Sequence, residues 1–203
     1  MSLSRIAKVG EISVFAEKYG KFRNNAYLIK CNSESILIDP GNNVESLIID
    51  LEELRINRLS AMFATHGHFD HIGSATQIIA NGFADKVYVH EMERENIARV
   101  KTQSILLEQK NPNFDVSTVE YFSELNFLNL KINLKFFLEG SHTQGSVFYF
   151  LPDEGFYFTG DNEHILATIM RVDELFDQVN FRNLSEIGCT SESRIFPGHG
   201  KFR

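Results

Sequence analysis

Short apolar runs alternate with polar and glycine-containing breaks at the start of the chain, a pattern typical of β-strands joined by turns. This pattern predicts strands over residues 9–15, 26–29 and 35–38, with a turn over residues 18–21 between the first two. Strands that follow one another through such short connections pair antiparallel. The chain is therefore expected to begin with an antiparallel sheet.

Helical and strand-like segments alternate in the middle of the chain. Asn43 stands where a side chain caps a helix, and the apolar residues after it recur at the spacing of one helical face. A later charged segment ends before Pro112, because the residue that precedes a proline is pushed out of helical geometry. In order, the predicted elements are a helix over 44–54, a strand over 59–64, a helix over 73–80, a strand over 86–89 and a helix over 91–109.

Runs rich in Phe and Tyr dominate the second half of the chain. These runs favour a sheet core over a surface that stacks bases or sugars, because aromatic residues are common in strands. The predicted elements are strands over 119–122, 128–130, 134–138, 147–151 and 156–159, a helix over 173–187 and a last strand over 194–196. Two packed sheets flanked by helices satisfy this order, which predicts an α/β fold with a single domain over residues 1–203.

Composition and charge narrow the classes of function. At 203 residues, with 43% hydrophobic and 23% charged residues, the chain has the make-up of one globular domain. A net charge of -7 offers no basic surface to a phosphate backbone, so we expect no nucleic-acid partner. No apolar stretch reaches the ~18 residues of a membrane span and no basic leader is present, which predicts a cytoplasmic protein without a membrane partner. The distant Cys31 and Cys189 are expected to be buried thiols.

Side chains that bind metals concentrate directly after the strand predicted over 59–64. Three imidazoles and one carboxylate stand within six consecutive positions: His66, His68, Asp70 and His71. A loop at the end of a strand lies on a rigid edge, where functional residues are often found. Imidazole and carboxylate together suit zinc, iron or manganese, whereas calcium and magnesium prefer oxygen ligands throughout. The stretch predicts a metal site, and the alternative is a polar surface loop that holds several histidines.

Three further candidate ligands lie at the ends of predicted strands. His142, Asp161 and His199 each follow a strand, and each has glycine close by in sequence. Side chains at the ends of different strands can converge on one point, and small neighbours let the backbones approach closely. We therefore expect these residues to join the histidine-rich loop.

The motifs around these residues resemble those of the metallo-β-lactamase superfamily, and within it the glyoxalase II-like branch, over nearly the whole chain. The resemblance implies a four-layer αββα sandwich of two mixed sheets, with a two-metal site at one edge of the sheets. It also implies two divalent metal ions as cofactors, with zinc preferred over iron or manganese. The matching segments are residues 25–29, 37–41, 65–71, 141–146, 158–161 and 196–200.

Carried over by position, the resemblance implies that the first metal binds to His66, His68 and His142, and the second to Asp70, His71 and His199. Asp161 would bridge the two metals. Many β-lactamases of the family have cysteine at that bridging position, so an aspartate moves the expected substrate toward thioesters and other esters. Asp39 is expected either to orient a ligand or to form the turn before Pro40 and Gly41.

The resemblance implies hydrolysis of a small-molecule ester or thioester. Two metals about 3.5–4 Å apart can share a water whose pKa falls toward about 7. The resulting hydroxide would attack the carbonyl, and Asp70 would orient it and accept its proton. The chain differs from many relatives at Ser141, Gln144 and the segment 162–166, and it stops three residues after Gly200. We therefore expect no C-terminal glutathione-binding domain, and neither the substrate nor the oligomeric state follows from the sequence.

The sequence leaves other functions open. A persulfide dioxygenase of the same superfamily would hold one iron on His66, His142 and Asp161. A lactone hydrolase is a further possibility, and so is a non-catalytic metal-binding protein, although retention of all seven ligands argues against the latter. His164 is open between an extra acid or base and a surface residue, while His90, which has no motif around it, is expected to be structural.

Overall fold

The first sheet begins with four strands that pair in sequence order. In the computed structural model, which describes residues 3–107, 113–125, 129–161 and 187–201, these strands form an antiparallel meander. The predicted antiparallel start is therefore confirmed. The four strands are β1 (Ser4–Val9), β2 (Ile12–Tyr19), β3 (Asn24–Cys31) and β4 (Glu34–Ile38).

Three parallel strands extend this sheet, which has the order β1-β2-β3-β4-β5-β6-β7. Helices lie in the connections between these strands, as parallel pairing requires a crossover. None of the described helices is both long and apolar enough to cross a membrane. The elements are α1 (Val44–Glu53), β5 (Ala61–Phe63), α2 (Phe69–Ile72), α3 (Ala75–Ala80), β6 (Val87–His90), α4 (Arg94–Leu106) and β7 (Val119–Phe122).

The second described sheet is also mixed and has the order β11-β10-β9-β8. Its pairs are antiparallel except for β10 and β11, which run parallel. Its strands are β8 (Lys135–Leu138), β9 (Val147–Leu151), β10 (Phe156–Gly160) and β11 (Arg194–Pro197).

The two sheets pack face to face through a core of aliphatic and aromatic side chains. Tyr27 of β3 contacts Phe158 and Phe196 of the second sheet, and Phe63 of β5 contacts Tyr149. Alternate residues of the same strands point to the opposite face, where the helices cover them. Both faces of β3 and β4 are thus buried, which explains their nearly continuous apolar sequence. This arrangement confirms the two packed, mixed sheets that the motifs predicted.

A third cluster covers the outer face of the second sheet, with Phe148, Phe150 and Tyr157 among its members. The helix predicted over 173–187 lies outside the described residues except for Ile187, which packs against this cluster. Cys189 is buried in the same cluster, and Cys31 is half-buried. Both are free thiols, as predicted, but the prediction that both are buried was wrong for Cys31.

Several predicted boundaries were wrong for local reasons. The strand predicted over 9–15 is two strands, because Gly10, with φ of 54°, reverses the chain between β1 and β2. The helix predicted over 73–80 is preceded by the separate helix α2, and a 3₁₀ turn replaces the start of the helix predicted over 91–109. Residues 129–130 form no strand. Asn43 occupies the cap position of α1, although its side chain makes no capping hydrogen bond.

Candidate metal centre

The candidate site lies at one edge of the two sheets, where four segments of the chain meet. The loop 65–71 follows β5, residues 139–146 precede β9, and the ends of β10 and β11 carry the other two segments. Backbone hydrogen bonds hold these segments together. Val147 N–H donates to the carbonyl of Thr65 over 2.9 Å, and Gly198 N–H donates to the carbonyl of Gly160 over 2.8 Å. The ends of strands from both sheets are thereby fixed next to one another.

Three histidines form the first trio, defined as His66, His68 and His142. The Nδ1 atom of His68 lies 3.0 Å from Nε2 of His66 and 3.1 Å from Nε2 of His142. Three ring nitrogens that face one another at such distances offer lone pairs to a shared cation, which is how neutral imidazoles bind metals. The structure thus brings together the three residues predicted for the first metal.

The second trio is defined as Asp70, His71 and His199. The Nε2 atom of His199 lies 3.3 Å from Oδ2 of Asp70 and 3.4 Å from Nε2 of His71. The Nε2 atom of His71 lies 3.8 Å from Oδ2 of Asp70. One carboxylate and two imidazoles thus face a common point, and they are the residues predicted for the second metal.

Asp161 lies between the two trios. Its Oδ1 atom is 3.3 Å from Nε2 of His71, and its Oδ2 atom is 3.3 Å from Nε2 of His199 and 3.9 Å from Nε2 of His142. Oδ1 is buried and accepts no hydrogen bond. A buried carboxylate oxygen without a donor is costly, and a cation at this point would compensate it. The geometry and the donor set therefore fit a metal, and the role of the seven residues as ligands stays a prediction.

Asp39 fixes the ring orientation of two histidines. Its Oδ2 atom accepts from Nδ1–H of His71 over 3.0 Å and from the hydroxyl of Thr65 over 2.9 Å. Because the Thr65 hydroxyl donates to Asp39, its oxygen can accept from Nδ1–H of His66, 3.1 Å away. Both histidines then direct an Nε2 lone pair into the site. These contacts fit the first role considered for Asp39, orientation of a candidate ligand, and its φ of 53° fits the second, a turn before Pro40.

A backbone carbonyl fixes the orientation of a third histidine ring, that of His199. Nδ1–H of His199 donates to the carbonyl of Phe22 over 3.0 Å, which leaves its Nε2 directed at the second trio. Phe22 lies in the turn between β2 and β3, and its ring packs perpendicular to that of Phe69 with 5.3 Å between centroids. The turn thus lies beside the second trio and adds an exposed aromatic side chain there.

The electrostatic environments of the two trios differ. Burial lowers the pKa of His66 and of His68 below the ordinary histidine value, which favours the neutral form that binds metals. Hydrogen bonds to Asp161 and Asp70 raise the pKa of His199 to about 9. Burial alone would raise the pKa of both carboxyls, but the neighbouring histidines hold both pKa values below the usual range. The carboxylates therefore favour positive charge at the second trio.

The sequence failed to indicate one residue that contacts the site. Glu93, in the 3₁₀ turn before α4, is fully buried, and its carboxylate accepts hydrogen bonds from the loop that carries His66 and from the loop that carries His142. A charged segment gives no signal that one of its carboxylates is buried. His90 lies apart from the site, with its ring against Phe122, and His164 lies outside the described residues.

Comparison with known proteins assigns the chain to a family. The model of the Metallo-beta-lactamase superfamily matches residues 19–199. The chain belongs to this superfamily. The match includes all seven candidate ligands and Asp39.

Two relatives are similar to the chain in sequence, and one solved structure shares its fold. The chain is 43% identical to the hydroxyacylglutathione hydrolase GloC of Haemophilus influenzae over 58 residues, which cover 28% of this chain and 27% of GloC. It is 26% identical to the probable metallo-hydrolase YqgX of Bacillus subtilis over 148 residues, 70% of this chain and 67% of YqgX. These relatives fit the glyoxalase II-like branch. The crystal structure of TTHA1623 in a di-iron-bound form shares the fold, with a TM-score of 0.70 at 22% identity over 93% of each chain.

Proposed function

We propose that this chain is a metal-dependent hydrolase that cleaves a small thioester or ester at a site for two divalent metal ions. The observation that carries the proposal is the position of Asp161 between two complete trios, each of which offers three donor atoms to one point. The names of the relatives GloC and YqgX support hydrolysis and, for GloC, a thioester substrate.

Zinc is the proposed metal, because it is bound by imidazole and carboxylate in open catalytic sites. Iron is the principal alternative, since TTHA1623 binds two irons on the same fold. When bound, two such ions lower the pKa of a shared water toward about 7 and thus supply hydroxide at neutral pH. In this proposal the ions are held by His66, His68, His142, Asp70, His71, His199 and Asp161.

Asp70 is the residue proposed to handle the proton. Its side chain is partly exposed and its Oδ2 atom faces the second trio, so that it is placed to orient the attacking water and accept its proton. Neither cysteine is placed to act as a nucleophile. Cys31 ends β3, at the opposite end of that strand from Asn25, which contacts the Pro197–Gly198 segment, and Cys189 lies on the outer face of the second sheet.

The substrate is proposed to approach from the side of His142 and His199. Their side chains are 28% and 35% exposed, whereas His71 is fully buried. The exposed ring of Phe22, which packs against the buried Phe69, forms an apolar edge near His199, whose Nδ1 contacts the Phe22 carbonyl. An apolar edge next to a carbonyl-polarising centre suits a small molecule with an acyl group.

The first experiment measures metal content and turnover together. Protein purified without added metal is analysed by inductively coupled plasma mass spectrometry and assayed against a panel of small thioesters, esters and lactones. We expect close to two zinc, iron or manganese ions per chain, with turnover of a thioester or ester lost in His68→Ala and Asp70→Ala. Asp85→Asn is the matched control, since the Asp85 side chain is 80% exposed.

Three outcomes would contradict this proposal. A single iron with oxygen consumption in the presence of a persulfide, and with tolerance of Asp70→Ala, would identify a dioxygenase instead. Turnover confined to the lactones would identify a lactone hydrolase. Two bound ions without turnover of any substrate in the panel would leave a metal-binding protein.

A further inference from the structure

Glu93 is a buried carboxylate outside both trios. It ends the 3₁₀ turn that joins β6 to α4, and its exposed fraction is 0%. Glutamate is rarely buried completely, because removal of its charge from water is costly unless the carboxylate is fully hydrogen-bonded. Its neighbours therefore indicate what the burial achieves.

Each oxygen of Glu93 accepts from one of the two loops that carry the first trio. Oε2 accepts from the backbone N–H of Gly67 over 2.7 Å and from Asn96 over 3.0 Å. Oε1 accepts from the hydroxyl of Thr143 over 2.6 Å and from the backbone N–H of Gly145 over 2.8 Å. Gly67 lies between His66 and His68 in sequence, and Thr143 directly follows His142, so one side chain spans both histidine-bearing loops.

The two glycines give an independent observation of the same close approach. A Cβ atom on Gly67 would lie 2.9 Å from Oε2 of Glu93, and one on Gly145 would lie 2.8 Å from Cγ of Glu93. Real Cβ atoms do not make such contacts, so both backbones can approach the carboxylate this closely only without a side chain. The loops are built around Glu93 at both points.

We infer that Glu93 is a positioning residue that sets the distance between His142 and the pair His66 and His68, and thereby the metal affinity of the first trio. The inference rests on the proposed function, because it assumes that the first trio binds a metal. Asp39 contacts His71 of the second trio directly and reaches His66 of the first only through Thr65. Of these two carboxylates, only Glu93 joins the loop of His66 and His68 to the loop of His142.

The test compares Glu93→Gln with Glu95→Gln. The glutamine keeps the size of the side chain but replaces one acceptor oxygen by an NH₂ group, which faces a donor and cannot accept from it. The Glu95 side chain, two residues later, is 87% exposed and serves as the matched control. Metal stoichiometry and affinity are measured with zinc by competition against a chromogenic chelator, and the absorption spectrum of the cobalt-substituted protein reports the geometry of the site.

We expect Glu93→Gln to lower the affinity for one of the two ions by about 10- to 100-fold, the range found when a residue that orients metal ligands is replaced. The cobalt spectrum should change with it, and Glu95→Gln should match the wild type. In metal-free protein, hydrogen exchange at the amides of Gly67 and Gly145 should become faster in Glu93→Gln, because both amides lose a strong acceptor.

Each other outcome is decisive. Faster exchange with unchanged affinity for both ions would overturn the inference and leave the proposed function intact. A wild-type protein that binds no zinc, iron or manganese would overturn the proposed function, and the metal role of Glu93 with it, while the exchange data would still report whether Glu93 joins the loops. If Glu93→Gln does not fold, Thr143→Val and Thr143→Ser provide the test. Only Thr143→Val should lower the affinity for one ion, and equal affinity in the two variants would overturn the inference.

Discussion

Oδ2 of Asp39 lies 3.0 Å from Nδ1 of His71, and both side chains are buried. Burial alone would lower the pKa of His71, but the charges of Asp39 and Asp161 raise it well above the ordinary histidine value. The hydrogen bond between the two side chains holds the imidazole in a fixed orientation, with its Nε2 atom facing Asp70 and His199. Carboxylates that orient metal-binding histidines in this way strengthen metal affinity.

Asp39→Asn should weaken zinc binding by about 10- to 100-fold at the second trio and by less at the first, because Asp39 contacts His71 directly and His66 only through Thr65. The amide can still accept from His71, but it lacks the charge that polarises the ring. Chelator competition measures the two affinities, with Asp85→Asn as an exposed aspartate control. Unchanged affinity for both ions in Asp39→Asn would contradict this prediction.

Gly198→Ala should abolish the binding of a metal ion at the second trio. The new Cβ atom would overlap Oδ1 of Asp161 and lie 2.8 Å from Cε1 of His71, so both side chains must move. Gly200→Ala is the control for backbone strain, because Gly200 has φ of 84° but no atom within 4 Å of its Cβ position. Metal analysis after dialysis should give fewer ions in Gly198→Ala than in Gly200→Ala, and equal counts would count against the close packing of Asp161.

Phe22→Ala should raise KM several-fold with a smaller effect on kcat and no change in metal content. Its ring forms the apolar edge with Phe69, while the contact with His199 comes from its backbone carbonyl, which the substitution keeps. Phe22→Leu should retain most of the affinity for the substrate. Lys21→Ala, at the neighbouring exposed position, should behave as wild type. A loss of metal in Phe22→Ala would show that the ring supports the centre and not the substrate.

Tyr19→Phe should destabilise the fold by about 1–3 kcal/mol, because the buried Asp50 of α1 loses the hydroxyl that donates to it from the end of β2. Chemical denaturation at neutral pH measures this difference. Tyr121→Phe, which removes a hydroxyl from a half-buried position of the same sheet, is the control. Equal stability of wild type and Tyr19→Phe would contradict the prediction.

Tyr19 also makes stability depend on pH in the alkaline range. Burial and the hydrogen bond to Asp50 raise its pKa well above the ordinary value of about 10. A group whose pKa is raised by folding stabilises the fold fully below its unfolded pKa, and this contribution is lost as the pH rises above that value. The stability difference between wild type and Tyr19→Phe should therefore shrink above about pH 10, and a constant difference would be evidence against this coupling.

The sequence indicated the residues that cluster in the candidate site better than the residues that support them. His66 and Asp70 share a short motif, and Asp161 and His199 follow strands beside glycine, so local signals were sufficient. Glu93 had no such signal, because its partners Gly67 and Thr143 lie 26 and 50 positions away and meet it only in the folded chain.

The fold was predictable where both faces of a strand are buried and less so at the edge of the sheet. The apolar sequences of β3 and β9 identify these strands directly. The edge strand β1 is mostly exposed and polar, with only Ala7 buried, so no hydrophobic pattern reveals it. Its partner β2 supplies the hydrogen bonds that make it a strand.

Both trios take donors from segments that follow or precede strands of different sheets. A chain divided between β7 and β8 would keep His66, His68, Asp70 and His71 in one fragment and leave His142, Asp161 and His199 in the other. Neither fragment would contain a complete trio. Ion binding at either trio would then require both fragments. Recovery of ion binding from mixed fragments would therefore report that the two fragments had assembled.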